Sequence, residues 1–174
     1  MMDLLLPAVL PLLQSERLTL RAMAAHDTAA LLAIYGDPLV MEYTDEAPFP
    51  DQDTVGLMLK SVRNLLAKGE SLEWAIALRE GDELIGTCGL HSFDRVLRQA
   101  EVGCLLKRSD WGKGYMTEAL HLMMQFAGDG LRLHRLTADV APENEQAQHL
   151  FYKLGYRPAP SGYLAIDLHR SNEA

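Results

Sequence analysis

The most informative segment of this chain is Trp111-Gly112-Lys113-Gly114-Tyr115-Met116, which lies between an apolar strand ending at Leu106 and a run of good helix formers. Glycines at such a junction let the backbone approach a ligand closely, and the free N–H groups of the first helical turn point outward under a positive dipole. The segment therefore predicts a cradle for a phosphate group, although an ordinary glycine-rich turn gives the same pattern. It is neither of the common nucleotide loops: G-x-x-x-x-G-K-[ST] is absent, and Thr117 stands where the third glycine of G-x-G-x-x-G would fall.

A second segment, Asn144 to Tyr156, opens a helix immediately after a strand. Asn144 has the side chain of a helix cap, and Gly155 follows the last turn as a stop signal. The apolar side chains of this helix fall on one stripe, at Ala147, Leu150, Phe151 and Leu154.

Together the two segments resemble the signatures of the GNAT superfamily of acyl-CoA-dependent N-acetyltransferases. The signature [QR]-x-x-G-x-[GA] maps onto Trp111 to Met116, where Trp111 replaces the Gln or Arg and Met116 replaces the small residue. The signature N-x-x-[AS]-x-x-x-[YF]-x-K-x-G-[FY] maps onto Asn144 to Tyr156. The resemblance runs from about residue 15 to 170. Arg17-Leu-Thr-Leu-Arg21, Glu101-Val-Gly103 and the segment from Trp111 to Ala119 are most similar to the RimJ/RimL-type acetyltransferases of ribosomal-protein N-termini. These motifs are specific for the superfamily and only weakly specific for the substrate.

The resemblance implies acetyl-CoA as cosubstrate and assigns the residues that bind it. The backbone of Cys104, Leu105 and Leu106 would contact the pantetheine arm and the thioester oxygen. The amides from Trp111 to Met116 would hold the pyrophosphate, and Asn144 would contact the pantetheine arm in addition to capping its helix.

Two carboxylates are candidates for the general base, and each could also be a solvated strand residue. Glu101 begins the strand expected to hold the thioester and matches a glutamate of the RimJ/RimL-like pattern, so it is the first candidate. Asp139 lies five residues before Asn144 and is the second. His91 could face the acceptor at the end of its strand, although an ordinary hydrogen-bonded histidine is the simpler interpretation.

The sequence departs from the family at the expected proton donor. Phe151 occupies the position where many members carry a tyrosine, and Tyr152 is one residue away, about 100° around the helix. Because a thiol has a pKa near 8.5, it leaves well without a strong acid, so we expect Tyr152 to be dispensable.

The element order βααβββαβαβ predicts a single α/β domain with a mixed sheet over residues 15–170, preceded by an apolar arm at residues 1–14. The resemblance adds that the sheet is mostly antiparallel, flanked by helices, with a splayed central strand pair. The expected strands lie near residues 17–21, 74–78, 84–90, 101–106, 136–140 and 163–168, and the expected helices near 27–35, 51–68, 114–128 and 144–154.

Composition limits the partners. The 174 residues carry a formal net charge of −8, opposite in sign to what a nucleic-acid binder needs. The arm lacks a basic region and is too short to span a membrane, so neither a signal nor a membrane anchor is expected.

Cys88 and Cys104 show no paired spacing and the histidines are scattered, which predicts reduced thiols, a cytoplasmic location and no metal. The oligomeric state stays open.

The sequence thus predicts an acetyl-CoA-dependent N-acetyltransferase in which an amine attacks directly in a ternary complex. A protein N-terminus is the first acceptor considered, and a small amine such as a polyamine, amino acid or aminoglycoside is the second. The acidic loop from Glu42 to Asp51 suits a cationic acceptor in both cases. A non-catalytic CoA-binding module is the alternative from another class, and a mononucleotide enzyme is disfavoured because the usual lysine and hydroxyl are missing.

Overall fold

Eight strands form one mixed sheet in the computed structural model, which describes residues 4–168. The sheet order is β1-β2-β3-β4-β5-β6-β8-β7; β5 and β6 are parallel and the other neighbours are antiparallel. The strands are β1 (Leu13–Gln14), β2 (Leu18–Arg21), β3 (Ser71–Leu78), β4 (Leu84–Asp94), β5 (Gln99–Leu106), β6 (Arg135–Ala138), β7 (Arg157–Pro158) and β8 (Leu164–Asp167). The helices are α1 (Thr28–Tyr35), α2 (Gln52–Ala67), α3 (Tyr115–Asp129) and α4 (Glu145–Leu154).

Side-chain caps mark the start of α2 and α4, whereas α1 and α3 begin without a side-chain hydrogen bond from the capping residue. Asp51 accepts a hydrogen bond from the backbone N–H of Thr54 at the start of α2, and Asn144 caps α4 in the same way. Gly155 ends α4 in the left-handed conformation, which glycine adopts without a steric penalty.

The two faces of the sheet are covered by different helices. On one face Leu72, Trp74 and Ile76 of β3 belong to a core that includes α3 and α4. On the other face Ala75 packs in a second core with residues of α1 and α2, among them Leu31 and Val55. This alternation follows from the two-residue period of a strand. As a result, α3 and α4 cover one face of the sheet, and α1 and α2 cover the other.

The sheet opens between its parallel strands. β5 pairs with β6 only through Gln99, Ala100 and Glu101, so within residues 4–168 the segment from Val102 to Leu106 has no strand partner on that side. The predicted mixed sheet with a splayed central pair is confirmed.

The predicted element order is also confirmed, with two additions and shifted ends. The short strands β1 and β7 were not predicted, because two residues carry no periodicity. β3 begins three residues before the expected Trp74, because Ser71 pairs with His91 of β4. β4 continues to Asp94 rather than Leu90, because Asp94 pairs with Gln99 of β5.

The segment before residue 15 packs on the domain from Leu4 onward. Leu4 is buried in the first core, and the Trp74 indole donates a hydrogen bond to the Pro11 carbonyl at 2.8 Å. Its last two residues are strand β1, and residue 170, the expected end of the domain, lies outside the described residues. None of the helices in residues 4–168 combines the length and apolar character needed to cross a membrane.

Candidate active site

A cleft of about 720 Å³ lies beside the separated strands. Its walls are the end of β5, the loop before α3, the N-terminal half of α4, and residues 39–43 between α1 and α2. Of the residues expected to bind the cosubstrate, those that line the cleft are Cys104, Leu105, Leu106, Trp111, Gly112, Gly114, Tyr115, Met116 and Asn144; Lys113 does not line it.

The loop of residues 111–114, here called the glycine loop, has the backbone of an anion cradle. Gly112 and Gly114 adopt φ values of 77° and 81°, in the left-handed region, and Gly114 is the residue that opens α3. A Cβ added at Gly112 would have no atom within 4 Å, so the loop backbone is open to a ligand. The first amides of α3 have no acceptor within the helix and can bind a pyrophosphate.

Arg17, Ser15 and Glu118 brace the glycine loop from behind. The Glu118 carboxylate accepts hydrogen bonds from Arg17 Nε at 2.7 Å and from the Ser15 hydroxyl at 2.6 Å. Arg17 also donates to the Lys113 carbonyl at 3.0 Å and lies over the Tyr115 ring at 4.4 Å. Burial alone would raise the pKa of Glu118, but the hydrogen bonds from Ser15 and Arg17 outweigh it and lower that pKa.

This brace was not predicted, because its partners are about a hundred residues apart in the chain. The sequence feature that could have indicated it is Glu118, a charged residue on the polar face of a mostly apolar helix.

Trp111 and Lys113 make contacts within the loop region. The Trp111 indole N–H donates to the Leu106 carbonyl at 2.8 Å, which ties the glycine loop to the end of β5. Lys113 Nζ lies 3.3 Å from Asp110, with half of the lysine side chain exposed. The side chain of Trp111 therefore positions the glycine loop.

Cys104 and Asn144 face the cleft from opposite walls. Burial raises the pKa of the Cys104 thiol to about 12, so the thiol is neutral at physiological pH. Asn144 accepts from the Ala147 N–H at 3.2 Å through its side-chain oxygen, and in the described part of the chain its amide nitrogen has no hydrogen-bond partner. That nitrogen is the group of Asn144 that a ligand could use.

The two candidate bases lie on either side of the point where β5 and β6 separate. Glu101 is the last residue of β5 that pairs with β6, and its carboxylate is 3.9 Å from His91 Nδ1. That nitrogen is hydrogen-bonded to the Ser92 hydroxyl at 2.9 Å, as expected of an ordinary hydrogen-bonded histidine. Asp139 follows β6 and is exposed. The negative charges of Asp139, Glu101 and Asp45 raise the pKa of the Tyr163 hydroxyl, and this tyrosine was not predicted as part of the site.

Tyr152 lies away from the cleft. Its neighbour Phe151 is buried edge-on against Tyr156, with the ring centroids 4.9 Å apart. Tyr152 is 39% exposed, packs 5.9 Å from the Arg157 guanidinium and does not line the cleft.

An α/β domain whose sheet splits beside a glycine cradle at a helix N-terminus has the architecture of an acyl-CoA-dependent acyltransferase. Residues 17–157 match the model of the acetyltransferase (GNAT) domain, and the chain belongs to this family. It is 35% identical over 145 residues to the uncharacterized N-acetyltransferase p20 of Bacillus licheniformis, an alignment that covers 83% of this chain and 82% of p20.

Two solved structures share the fold. Spermidine N-acetyltransferase from Vibrio cholerae, in complex with CoA and spermine, superposes with a TM-score of 0.76 at 20% identity over 88% of this chain and 96% of that one. RimL, a ribosomal L7/L12 alpha-N-protein acetyltransferase in complex with coenzyme A, superposes with a TM-score of 0.78 at 16% identity over 91% and 98%.

The predicted membership of the GNAT superfamily is thus confirmed, and RimL is among the structural neighbours. The chain is an acyl-CoA-dependent N-acetyltransferase with acetyl-CoA as its cosubstrate.

Proposed function

We propose that this acetyltransferase transfers the acetyl group to the primary amine of a protein N-terminus, by direct attack in a ternary complex. One observation carries the proposal: the Glu101 carboxylate and His91 lie together at the point where β5 loses its partner. An amine and a thioester that meet there have a proton acceptor beside them. The similarity to RimL supports a protein N-terminus as the acceptor.

The cosubstrate would be held mainly by backbone. The amides at the start of α3 and of the glycine loop bind the pyrophosphate, and Asn144 contacts the pantetheine arm. The unpaired backbone of residues 104–106 receives the thioester and donates to the oxygen that becomes negative in the tetrahedral intermediate.

Glu101 is the proposed general base. The acceptor arrives as RNH₃⁺, and one proton passes from it to Glu101, directly or through a water molecule. The neutral nitrogen bonds to the acetyl carbon, and its second proton leaves with the CoA sulfur as a thiol when the C–S bond breaks. The amide RNHCOCH₃ remains, and Glu101 returns its proton to solvent. Asp139 is the second candidate for this role.

A small polyamine is the second candidate acceptor. Asp45, Glu101 and Asp139 surround Tyr163 with negative charge, which favours a ligand with more than one cation. Spermidine N-acetyltransferase shares the fold, which supports the same alternative.

Thiol release from acetyl-CoA tests the proposal. The purified chain is incubated with acetyl-CoA and dialanine amide, spermidine or n-butylamine, and N-acetylated dialanine amide serves as the control without a free amine. We expect release with dialanine amide and none with the control. Release with spermidine alone would select the small-amine alternative, and no release with any free amine would refute the proposal. Mass spectrometry of protein N-termini in cells with and without the chain then identifies the acceptors.

A further inference from the structure

A row of three residues crosses the centre of the sheet on the side of α1 and α2. Glu73 of β3 pairs with Gly89 of β4, and Gly89 pairs with Gly103 of β5. Directly paired residues of an antiparallel sheet point to the same face, so these three share the face on which Ala75 and Leu105 contact the second core. Two adjacent glycines leave a depression in that face.

The Glu73 side chain fills the first half of the depression. A Cβ added at Gly89 would lie 3.1 Å from Glu73 Oε1 and 3.2 Å from its Cγ, so the carboxylate occupies the space that a side chain at residue 89 would take. Neighbouring strands lie about 5 Å apart, which places this carboxylate next to Gly103.

The second half of the depression, above Gly103, is open. A Cβ added there would meet a single atom within 4 Å, His91 Nε2 at 3.8 Å. We call this space, bounded by Glu73, Gly103 and His91, the acceptor hollow. It adjoins a second cavity of about 790 Å³ lined by Glu73 and His91.

The hollow lies between this cavity and the cleft for the cosubstrate. Gly103 precedes Cys104, which lines the cleft, and follows the unpaired Val102. A group in the hollow therefore lies over Gly103, the residue that directly precedes the backbone expected to receive the thioester.

Glu73 has no hydrogen-bond or ion-pair partner among residues 4–168, although its side chain is half-buried and faces a cavity. The cations that line the same cavity, Lys68 and Arg95, do not pair with it, and Arg95 instead donates to the Leu4 carbonyl at 2.6 Å. Burial and the nearby Glu46 raise the pKa of Glu73. A half-buried carboxylate without a counter-ion loses part of its hydration without compensation, and a bound cation would relieve that cost.

We infer that Glu73 binds the ammonium group of the acceptor in the acceptor hollow, and that it thereby determines specificity for primary amines. This inference rests on the proposed function. An ammonium within hydrogen-bond distance of Glu73 lies above Gly103, beside His91 and next to the thioester. Glu73 then holds the amine in place, while Glu101, which pairs with His91 across the strands, takes its proton.

The test substitutes Glu73→Gln, which keeps the shape of the side chain and removes its charge. We expect KM for the amine that releases most thiol, among dialanine amide, spermidine and n-butylamine, to rise about 10- to 100-fold, the range for a lost hydrogen bond to a charged group. The turnover number should change less than about threefold and the Kd for CoA should not change, because Glu73 does not line the cleft. The control is Glu70→Gln, which removes the same charge from an exposed residue lining the same cavity.

Thermal stability separates ligand binding from a structural role. Because Glu73 is a half-buried carboxylate without a counter-ion, Glu73→Gln should unfold at the same temperature as the wild type or higher. A lower Tm with weaker CoA binding would indicate a structural residue and would overturn the inference. An unchanged amine KM, or an equal rise in Glu70→Gln, would also overturn it.

A second variant fills the hollow without touching a charge. Gly103→Ala places a methyl group in ordinary contact with His91, so the chain should fold and bind CoA while losing at least about tenfold in kcat/KM for the amine. Normal kcat/KM in Gly103→Ala would place the acceptor elsewhere. If the wild type acetylates none of the amines, the proposed function fails instead, and this outcome is distinct because it appears before any variant is made.

Discussion

Replacing Gly112 with valine should separate the binding role of the glycine loop from its backbone strain. Gly112 has a φ of 77°, where a non-glycine residue costs about 1–2 kcal/mol. A side chain there would meet no protein atom within 4 Å, so this strain is the main cost to folding. For a domain of this size each kcal/mol lowers Tm by about 2–4 °C.

The effect on CoA should be much larger. A valine side chain at Gly112 projects into open space at the cleft and keeps the pyrophosphate away from the backbone amides. Losing two hydrogen bonds to a charged group, each contributing at least about 1.5 kcal/mol, weakens binding by about 10²-fold or more.

The chain supplies a matched control at Gly81, in the turn between β3 and β4. Gly81 has a φ of 87°, also has open space around a built Cβ, and lines neither cavity. Gly81→Val should therefore lower Tm by a similar amount and leave the Kd for CoA unchanged.

Isothermal titration with CoA and a thermal melt of both variants measure the two quantities. Equal CoA affinity in Gly112→Val and Gly81→Val would refute the cradle assignment. Gly114→Val should weaken CoA binding as well, but its Cβ lies 3.4 Å from Arg17, so part of its effect would come through the brace.

Three further substitutions test the rest of the site. Glu101→Gln should lower turnover about 10²-fold with CoA binding intact and flatten the acidic limb of the pH–rate profile; near-normal turnover would transfer the role to Asp139 or to solvent. Tyr152→Phe should keep turnover within a few fold, because Tyr152 lies outside the cleft, and a 10³-fold loss would contradict this. Glu118→Gln should lower stability by about 1 kcal/mol at neutral pH, a value reduced because Arg17 is 43% exposed. Since the folded-state pKa of Glu118 is lowered, its stabilisation is present above the unfolded pKa and lost as the pH falls through the folded one, so thermal melts of the variant and the wild type should converge below about pH 4.

The parts of the site that sequence could predict are those that are local in the chain. The glycine loop and the cap at Asn144 depend on residues within one turn of a helix, and both lie where they were expected. The family resemblance supplied the splayed strands, which no periodicity within a strand encodes. The ends of β3 and β4 were misplaced because pairing between the strands, rather than the composition of either one, decides how far each extends.

The unpredicted residues depend on contacts between distant segments. Glu118 meets Ser15 and Arg17 only because α3 packs on the first strands, and Tyr163 comes near Asp139 only because β8 pairs with β6. A single sequence shows which residues are charged, but it does not show the strand register that brings them together.

The glycines of the central strands show what register adds. A Cβ at Gly86 would lie 2.5 Å from the Leu105 carbonyl, and one at Gly89 would lie 2.7 Å from the Leu72 carbonyl, so the backbone itself requires glycine at both positions. Gly103 has no such contact, and its φ is not positive. A side chain would fit there sterically, and it would fill the space between an unpaired carboxylate and an imidazole. Packing therefore does not explain glycine at residue 103, whereas the proposed acceptor hollow accounts for it.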